Sequence, residues 1–267
     1  MVAVEQKGTT GDRVLQVIQL FYTVKPLWSV EEAAHELDIS VSTSYRYFRG
    51  LIGAGMLVPA AAGQYVLGPA FIEIDRFIRN NDPVLQRAVP VLRWLRDQVG
   101  DAVTVLLCRV YGDRVMCVHQ ERAPDDAPDS VGYERGKPMP LFRGATSKVI
   151  LAHLPARSLR RIFAANGPAI REAGLGDSLE AFKAALKAIR ATEALVTRGE
   201  VDPGRVGIAA PLFGGDRNVL GSLSVVIPRD REARPGGITL PSLVAAAART
   251  VNEHLAALSI DGPAAEG

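Results

Sequence analysis

Two short hydroxyls and two guanidiniums share one side of a helix-like run in the stretch "SVSTSYRYFRGLIGAG", which begins at Ser40. Val41, Tyr45, Phe48 and Ile52 repeat at i, i+4, i+7 and i+11, with Leu51 widening the stripe, so the spacing predicts that they turn inward. Ser42, Thr43, Arg46 and Arg49 are then left facing outward. Hydroxyls near a helix N-terminus can approach a groove closely, and guanidiniums suit phosphates or guanine edges. The chemistry on offer is recognition of nucleic acid.

Bond-making chemistry finds little support. His35, His119, His153 and His254 are scattered without metal-ligand spacing. "GATSK" does not meet the phosphate-loop pattern Gly-x-x-x-x-Gly-Lys-Ser/Thr, and no Gly-x-Ser-x-Gly elbow occurs. No catalytic residue, metal or cofactor is expected. Cys108 and Cys117 are the only cysteines, which excludes a disulfide framework or thiolate zinc cluster. If Gly112 and Asp113 form a two-residue hairpin turn, the two cysteines face each other across the hairpin. Such a pair could switch with redox state, but a pair of small buried hydrophobes is the favoured reading.

The elements around the polar face must position it. Asp12 to Val24 reads as a packing helix, with Val14, Leu15, Ile18, Leu20, Phe21 and Tyr22 on a broad buried face. Ser29 with Glu32 gives a Ser-x-x-Glu capping box for a helix running to about Leu37. Asp38, which tolerates the left-handed conformation, allows a sharp turn, and Ser40 caps the next helix. Gly53 to Gly55 end it, and "MLVPAAAGQYVLG" gives two short strands around a small-residue turn. Residues 11–68 therefore read as a winged helix-turn-helix, in which the first helix of the pair braces the second. With Ser29 and the wing residue Gln64, the candidate DNA contacts are Ser29, Ser42, Thr43, Ser44, Tyr45, Arg46, Arg49 and Gln64.

Charge is too even to make the case alone. The chain of 267 residues has a formal net charge of +2, and residues 1–80 hold seven basic against eight acidic side chains. From 39 to 68 the only charges are Arg46 and Arg49. So small a positive face implies few phosphate contacts per subunit and a need for dimerisation.

Beyond a helical segment at 69–82, Asp82 and Pro83 mark a boundary, and another helix spans 84–98. Strands near 102–110 and 114–121 precede a loop, "ERAPDDAPDS", and a block, "GKPMPLFRGATSKVILAHLP". Helices near 157–165 and 178–192, strands near 207–212 and 219–227, and a closing helix at 241–258 complete one mixed α+β domain. No apolar run approaches the roughly 18 to 20 residues that span a bilayer, and the start lacks a signal-like segment. A cytoplasmic location without membrane contact is expected.

The sequence resembles the IclR family of bacterial transcriptional regulators over most of its length. "DISVSTSYRYFRGLIGAGMLV" and "GQYVLG" resemble the family's recognition helix and wing; "GKPMPLFRGATSKVILAHLP" and "GRVGIAAPLF" resemble two blocks of its second domain. The resemblance implies a winged helix-turn-helix at 1–68, a linker helix at 69–82, and a GAF-like α+β effector-binding and oligomerisation domain at 83–267. It also implies a homodimer or a dimer of dimers. Two departures stand out: Ser44 replaces the family's usual apolar residue, and Thr146-Ser147-Lys148-Val149 replaces Ser/Ala-Gly-Lys-Ala.

By the same resemblance the effector positions are Met139, Leu141, Ala145, Thr146, Thr197, Gly207, Ser222 and Ser224. Free backbone N–H groups at Ala145 and Thr146 would hold a carboxylate, Thr197 and Ser224 would supply hydroxyls, and Leu141, Met139 and Val118 would form an apolar side. Ser222 and Ser224 have an equally weighted reading as an ordinary strand face. Gly207, where the family commonly has a more polar residue, leaves room that favours an aromatic acid. The expected function is a DNA-binding regulator of a near-palindromic operator in double-stranded DNA, modulated by a small organic acid. The alternatives are a protein-association module, or a redox-responsive regulator using Cys108 and Cys117.

Overall fold

The computed structural model describes residues 9–100, 102–122, 132–232 and 239–256, so the loop "ERAPDDAPDS" lies almost wholly outside the described residues. The chain divides into two compact units, Met1–Asp82 and Pro83–Gly267.

The first unit opens with α1 (Thr10–Thr23), whose start is fixed by a capping box between Thr9 and Asp12. Its buried residues are Val17, Leu20 and Phe21, whereas Leu15 and Tyr22 are exposed. The expected broad face is therefore narrower: Val14 and Ile18 also pack against the core, half-buried, but Leu15 and Tyr22 do not. α2 (Val30–Glu36) starts at the Ser29–Glu32 box, and Asp38 takes φ 51° in the turn that follows. α3 (Val41–Gly53) is capped by Ser40. β1 (Leu57–Pro59) and β2 (Tyr65–Leu67) pair antiparallel around a short 3-10 turn at Ala61–Gly63. Phe48 joins these elements, packing on Phe21 and edge-on against Tyr65. α4 (Ala70–Asn81) buries none of its side chains and exposes Ile72, Ile74, Phe77 and Ile78.

The second unit begins with α5 (Pro83–Val99), which holds Pro90 within it. The strands β3 (Thr104–Tyr111), β4 (Arg114–Arg122) and β5 (Pro138–Pro140) precede three helices, α6 (Gly144–Ala152), α7 (Ala156–Glu172) and α8 (Leu179–Arg190). β6 (Leu195–Arg198), β7 (Arg205–Phe213), β8 (Val219–Pro228) and α9 (Leu240–Ala256) follow. The six strands form one antiparallel sheet in the order β5-β4-β3-β8-β7-β6.

Strand alternation sends successive side chains to opposite faces. Val105 and Leu107 join Val225 and Ile208 under α5 and α9, while Leu106 and Cys108 join Val226 and Ala209 beneath α6 and α8. Helices thus cover both faces, which explains why β8 is buried along almost its whole length. The short strands β5 and β6 escaped pattern reading, and α7 extends past Gly167 and Pro168 by kinking at Asn166.

Candidate functional site

In the first unit the outward face of α3 differs from expectation. Ser44, Tyr47, Phe48 and Leu51 form the buried stripe, while Val41 is 50% and Tyr45 60% exposed. The stripe is rotated by one position because it must meet α1 and α2 together, and because Tyr47 can bury its ring. Two corrections follow. Val41 and Tyr45 belong to the outer face, and Ser44, expected among the DNA contacts, is wholly buried with its hydroxyl donating to the Val30 carbonyl at 2.9 Å. Where an apolar side chain would pack by contact alone, this serine adds a bond between the two helices of the pair.

The outer surface carries Ser42, Tyr45, Arg46 and Arg49 as exposed residues, with Thr43 half-buried. Arg46 lies over the Tyr47 ring at 5.7 Å, which holds its guanidinium against the helix. Ser40 Oγ contacts both Ser42 and Thr43 hydroxyls, at 3.1 and 2.8 Å. Ser29 is occupied by its capping box, receiving the Glu32 N–H at 3.1 Å. Lys25 binds Glu32 at 2.7 Å, and this hydrogen-bonded partner, followed by the Ser29 backbone N–H, holds the Glu32 carboxyl below its ordinary range. Gln64 is half-buried at the end of the wing turn.

The second unit holds a cleft at the start of α6, bordered by Tyr133, Ala145, Thr146, Thr197, Glu200 and Gly207 among others. It is small, about 20 Å³, the room of roughly one water molecule. Tertiary contacts rather than a local cap satisfy the helix start: Arg143 at the cap position makes no side-chain cap bond. Instead Gly144 N donates to Glu200 Oε2 at 3.0 Å and Ala145 N donates to Thr197 Oγ1 at 2.9 Å. The Ala145 N–H expected to be free for a ligand is thus already engaged by another expected site residue. Lys148, one turn along, sits 2.8 Å from the same Glu200 carboxylate and 3.2 Å from the Ala173 carbonyl.

Hydroxyls rivet α6 to the sheet. Thr146 Oγ1 donates to Ser224 Oγ at 2.9 Å, and Ser222 Oγ donates to the Thr146 carbonyl at 3.0 Å. Both serines are fully buried, and they border the helix rather than the cleft. Gly207 pairs with Thr197 across β6 and β7 and does border it. A Cβ at Gly207 would meet Thr197 Oγ1 at 3.5 Å and Ala145 Cβ at 3.7 Å, so the glycine leaves about a methyl group of room.

Of the expected effector positions, Ala145, Thr146, Thr197 and Gly207 therefore converge. Leu141 and Met139 lie in the core beside α6, and Val118 packs on the opposite side of the sheet under α5 and α9, so the expected apolar wall of the cleft is not theirs. Val118 is on the other face because side chains alternate along β4: Val115 and Cys117 face α6, so Val118 points away from it. Tyr133, Glu200 and Asp202 also border the cleft, brought in by loops that carry no periodic signal in the sequence. Tyr133 is buried with its hydroxyl 2.8 Å from both the Arg143 carbonyl and Ser147 Oγ, and burial pushes that phenol well above its ordinary range. Asp202 accepts from Gly132 N at 2.7 Å.

Cys108 and Cys117 do face each other across β3 and β4 as free thiols. Both are buried, Cys117 Sγ donates to the His119 carbonyl at 3.3 Å, and burial pushes the Cys108 thiol well up. A thiol so placed is a poor nucleophile. Among the described residues no group of three His, Cys, Asp or Glu could hold a metal ion, and no helix is long and apolar enough to cross a membrane.

The chain thus holds a helix-turn-helix with a two-stranded hairpin in one unit and an α+β fold with a polar cleft in the other. The family model described as bacterial transcriptional regulator IclR C-terminal matches residues 78–253. The chain belongs to the IclR family of transcriptional regulators. It is 22% identical over 221 residues to the HTH-type transcriptional regulator KipR of Bacillus subtilis, covering 83% of this chain and 86% of that one. It is 24% identical over 217 residues to the Pca regulon regulatory protein of Pseudomonas putida, covering 81% and 73%. In fold it is similar to an IclR homolog from Microbacterium hydrocarbonoxydans solved in complex with 4-hydroxybenzoate, with a TM-score of 0.71, 17% identity and coverage of 93% and 100%.

Proposed function

We propose that this regulator is a ligand-controlled DNA switch, with a reading head at 1–68, a linker helix at 69–82 and an effector and oligomerisation domain at 83–267. The observation that carries the reading is the outer face of α3. Ser42, Thr43, Tyr45, Arg46 and Arg49 stand opposite a stripe that is buried against α1 and α2. A helix held in this way, with a wing beside it, suits the major groove, and two heads of a homodimer suit successive grooves of a near-palindromic operator.

The effector is a small organic acid bound at the α6 end of the second unit, and an aromatic acid is the favoured class. Room at Gly207 supports this, as does the relative bound to 4-hydroxybenzoate. Linkage requires the acid to change operator affinity and the operator to change acid affinity by the same factor.

The test is a footprint on DNA flanking the protein's own gene, at two salt concentrations, with Arg46→Ala beside the wild type. A protected near-palindrome that Arg46→Ala loses, at a cost of about 1–3 kcal/mol per contact and without loss of oligomer or melting temperature, is the expected result. Loss of the oligomer instead would support a head that serves association. Equal ligand affinity with and without operator would refute the switch.

A further inference from the structure

Glu200 stands in the loop between β6 and β7, and its side chain is shared by two spaces. One is the 20 Å³ cleft at the start of α6; the other is a cavity of about 570 Å³ bordered by Pro140, Phe142, Arg143, Ala169 and Glu172. The smaller space cannot admit an organic acid while Glu200 is in place, whereas the larger lies within the roughly 300–1,000 Å³ typical of small-molecule sites. The groups most suited to an acid, Gly144 N–H and the Lys148 ammonium, are both held by the Glu200 carboxylate, at 3.0 and 2.8 Å.

Resting on the effector reading above, we infer that Glu200 is an internal stand-in for the effector's carboxylate, and that an acid entering from the larger cavity takes its place on Lys148 and Gly144. The asymmetry of exposure gives the direction of exchange. The Lys148 side chain is only 8% exposed and the Glu200 side chain 32%. A buried ammonium left without a partner is costly, whereas a carboxylate near the surface can turn to water. The exchange therefore conserves charge only if the incoming group is an anion. Arg143 Nη2 holds the Glu200 backbone carbonyl at 2.7 Å, so the loop can stay anchored while the side chain swings. Neutral amides of the same shape are excluded, because they would leave the Lys148 ammonium on the Ala173 carbonyl without a counter-charge.

The test is calorimetric titration of the full chain with 4-hydroxybenzoate, benzoate and pyruvate, and with 4-hydroxybenzamide and benzamide, on wild type, E200Q and K148M, with melting temperature as the folding control. E200Q removes the competing anion, so at least one carboxylate should bind it roughly tenfold or more tightly than wild type, with no gain for its amide and with binding lost in K148M. If E200Q does not fold, E200D, which shortens the reach but keeps the charge, should show a smaller gain of the same sign. Carboxylates bound equally or more weakly by these variants would overturn the inference and make Glu200 a fixed brace. So would the absence of carboxylate binding to wild type and variant alike. The effector reading stands or falls separately, on whether an added small molecule shifts the operator footprint.

Discussion

The Ser44 hydroxyl lies 2.9 Å from the Val30 carbonyl, joining the first turn of α3 to the start of α2. The bond is wholly buried. Ser44→Ala should cost about 1 kcal/mol in chemical denaturation and leave the operator footprint of the folded protein intact. A lost footprint with unchanged stability would return Ser44 to the DNA-contacting set.

Tyr45 is the counterpart on the outer face. The residue is 60% exposed, so Tyr45→Ala removes little packing and should change stability by no more than about 0.5 kcal/mol. Operator affinity should fall, measured by gel shift against wild type. If melting drops by several degrees instead, the ring is buried as the amphipathic spacing of Val41, Tyr45 and Phe48 predicts.

Two glycines of the sheet should respond in opposite ways to a methyl group. At Gly221 a Cβ would lie 1.9 Å from the Cys108 carbonyl oxygen, backbone that cannot yield, so Gly221→Ala should cost about 3 kcal/mol or more. Gly207→Ala meets only ordinary contacts and should fold normally. It should weaken binding of 4-hydroxybenzoate if the α6 cleft receives part of the ligand, which titration of the folded variant would measure.

His153 links stability to pH. Burial, opposed by its hydrogen bond to the Val149 carbonyl at 2.8 Å and reinforced by Arg190, holds its folded pKa below the ordinary 6.5. The unfolded chain then binds the proton more readily than the native one, so stability is full above about pH 6.5 and declines as pH falls through the folded value. His153→Phe, beside the Phe213 ring, should flatten this acid limb in melting curves taken from pH 8 to 5. An unchanged slope would place the titrating group elsewhere.

The thiols offer a test of the redox alternative. Cys108 and Cys117 are both buried, so a thiol reagent should find neither in the native protein and both after denaturation. Rapid native reaction, or a footprint lost on mild peroxide treatment and restored by a thiol, would support a redox-responsive regulator.

Local rules were enough wherever a signal and its partner lie within a turn of each other. The Ser29–Glu32 box, the left-handed Asp38, the Ser40 cap and the facing cysteines follow from neighbours close in sequence or across a tight hairpin. The helix-turn-helix and the antiparallel hairpin were legible for that reason, and so was the family, through blocks of contiguous residues. Which face of α3 turns inward was not legible, because the apolar count of Val41 and Tyr45 says nothing of where α1 and α2 stand.

The second unit's cleft depended still more on tertiary structure. Thr197 and Glu200 lie dozens of residues from Gly144 and Ala145 and meet them only because β6 lies at the sheet edge beside the start of α6. The sequence by itself determined that α6 would present N–H groups needing partners, since every helix start does. Only the packed sheet decided that those partners are a threonine and a glutamate of the same chain. Polar groups removed from water must be paired, and the nearest pairing group in space can be far away in sequence.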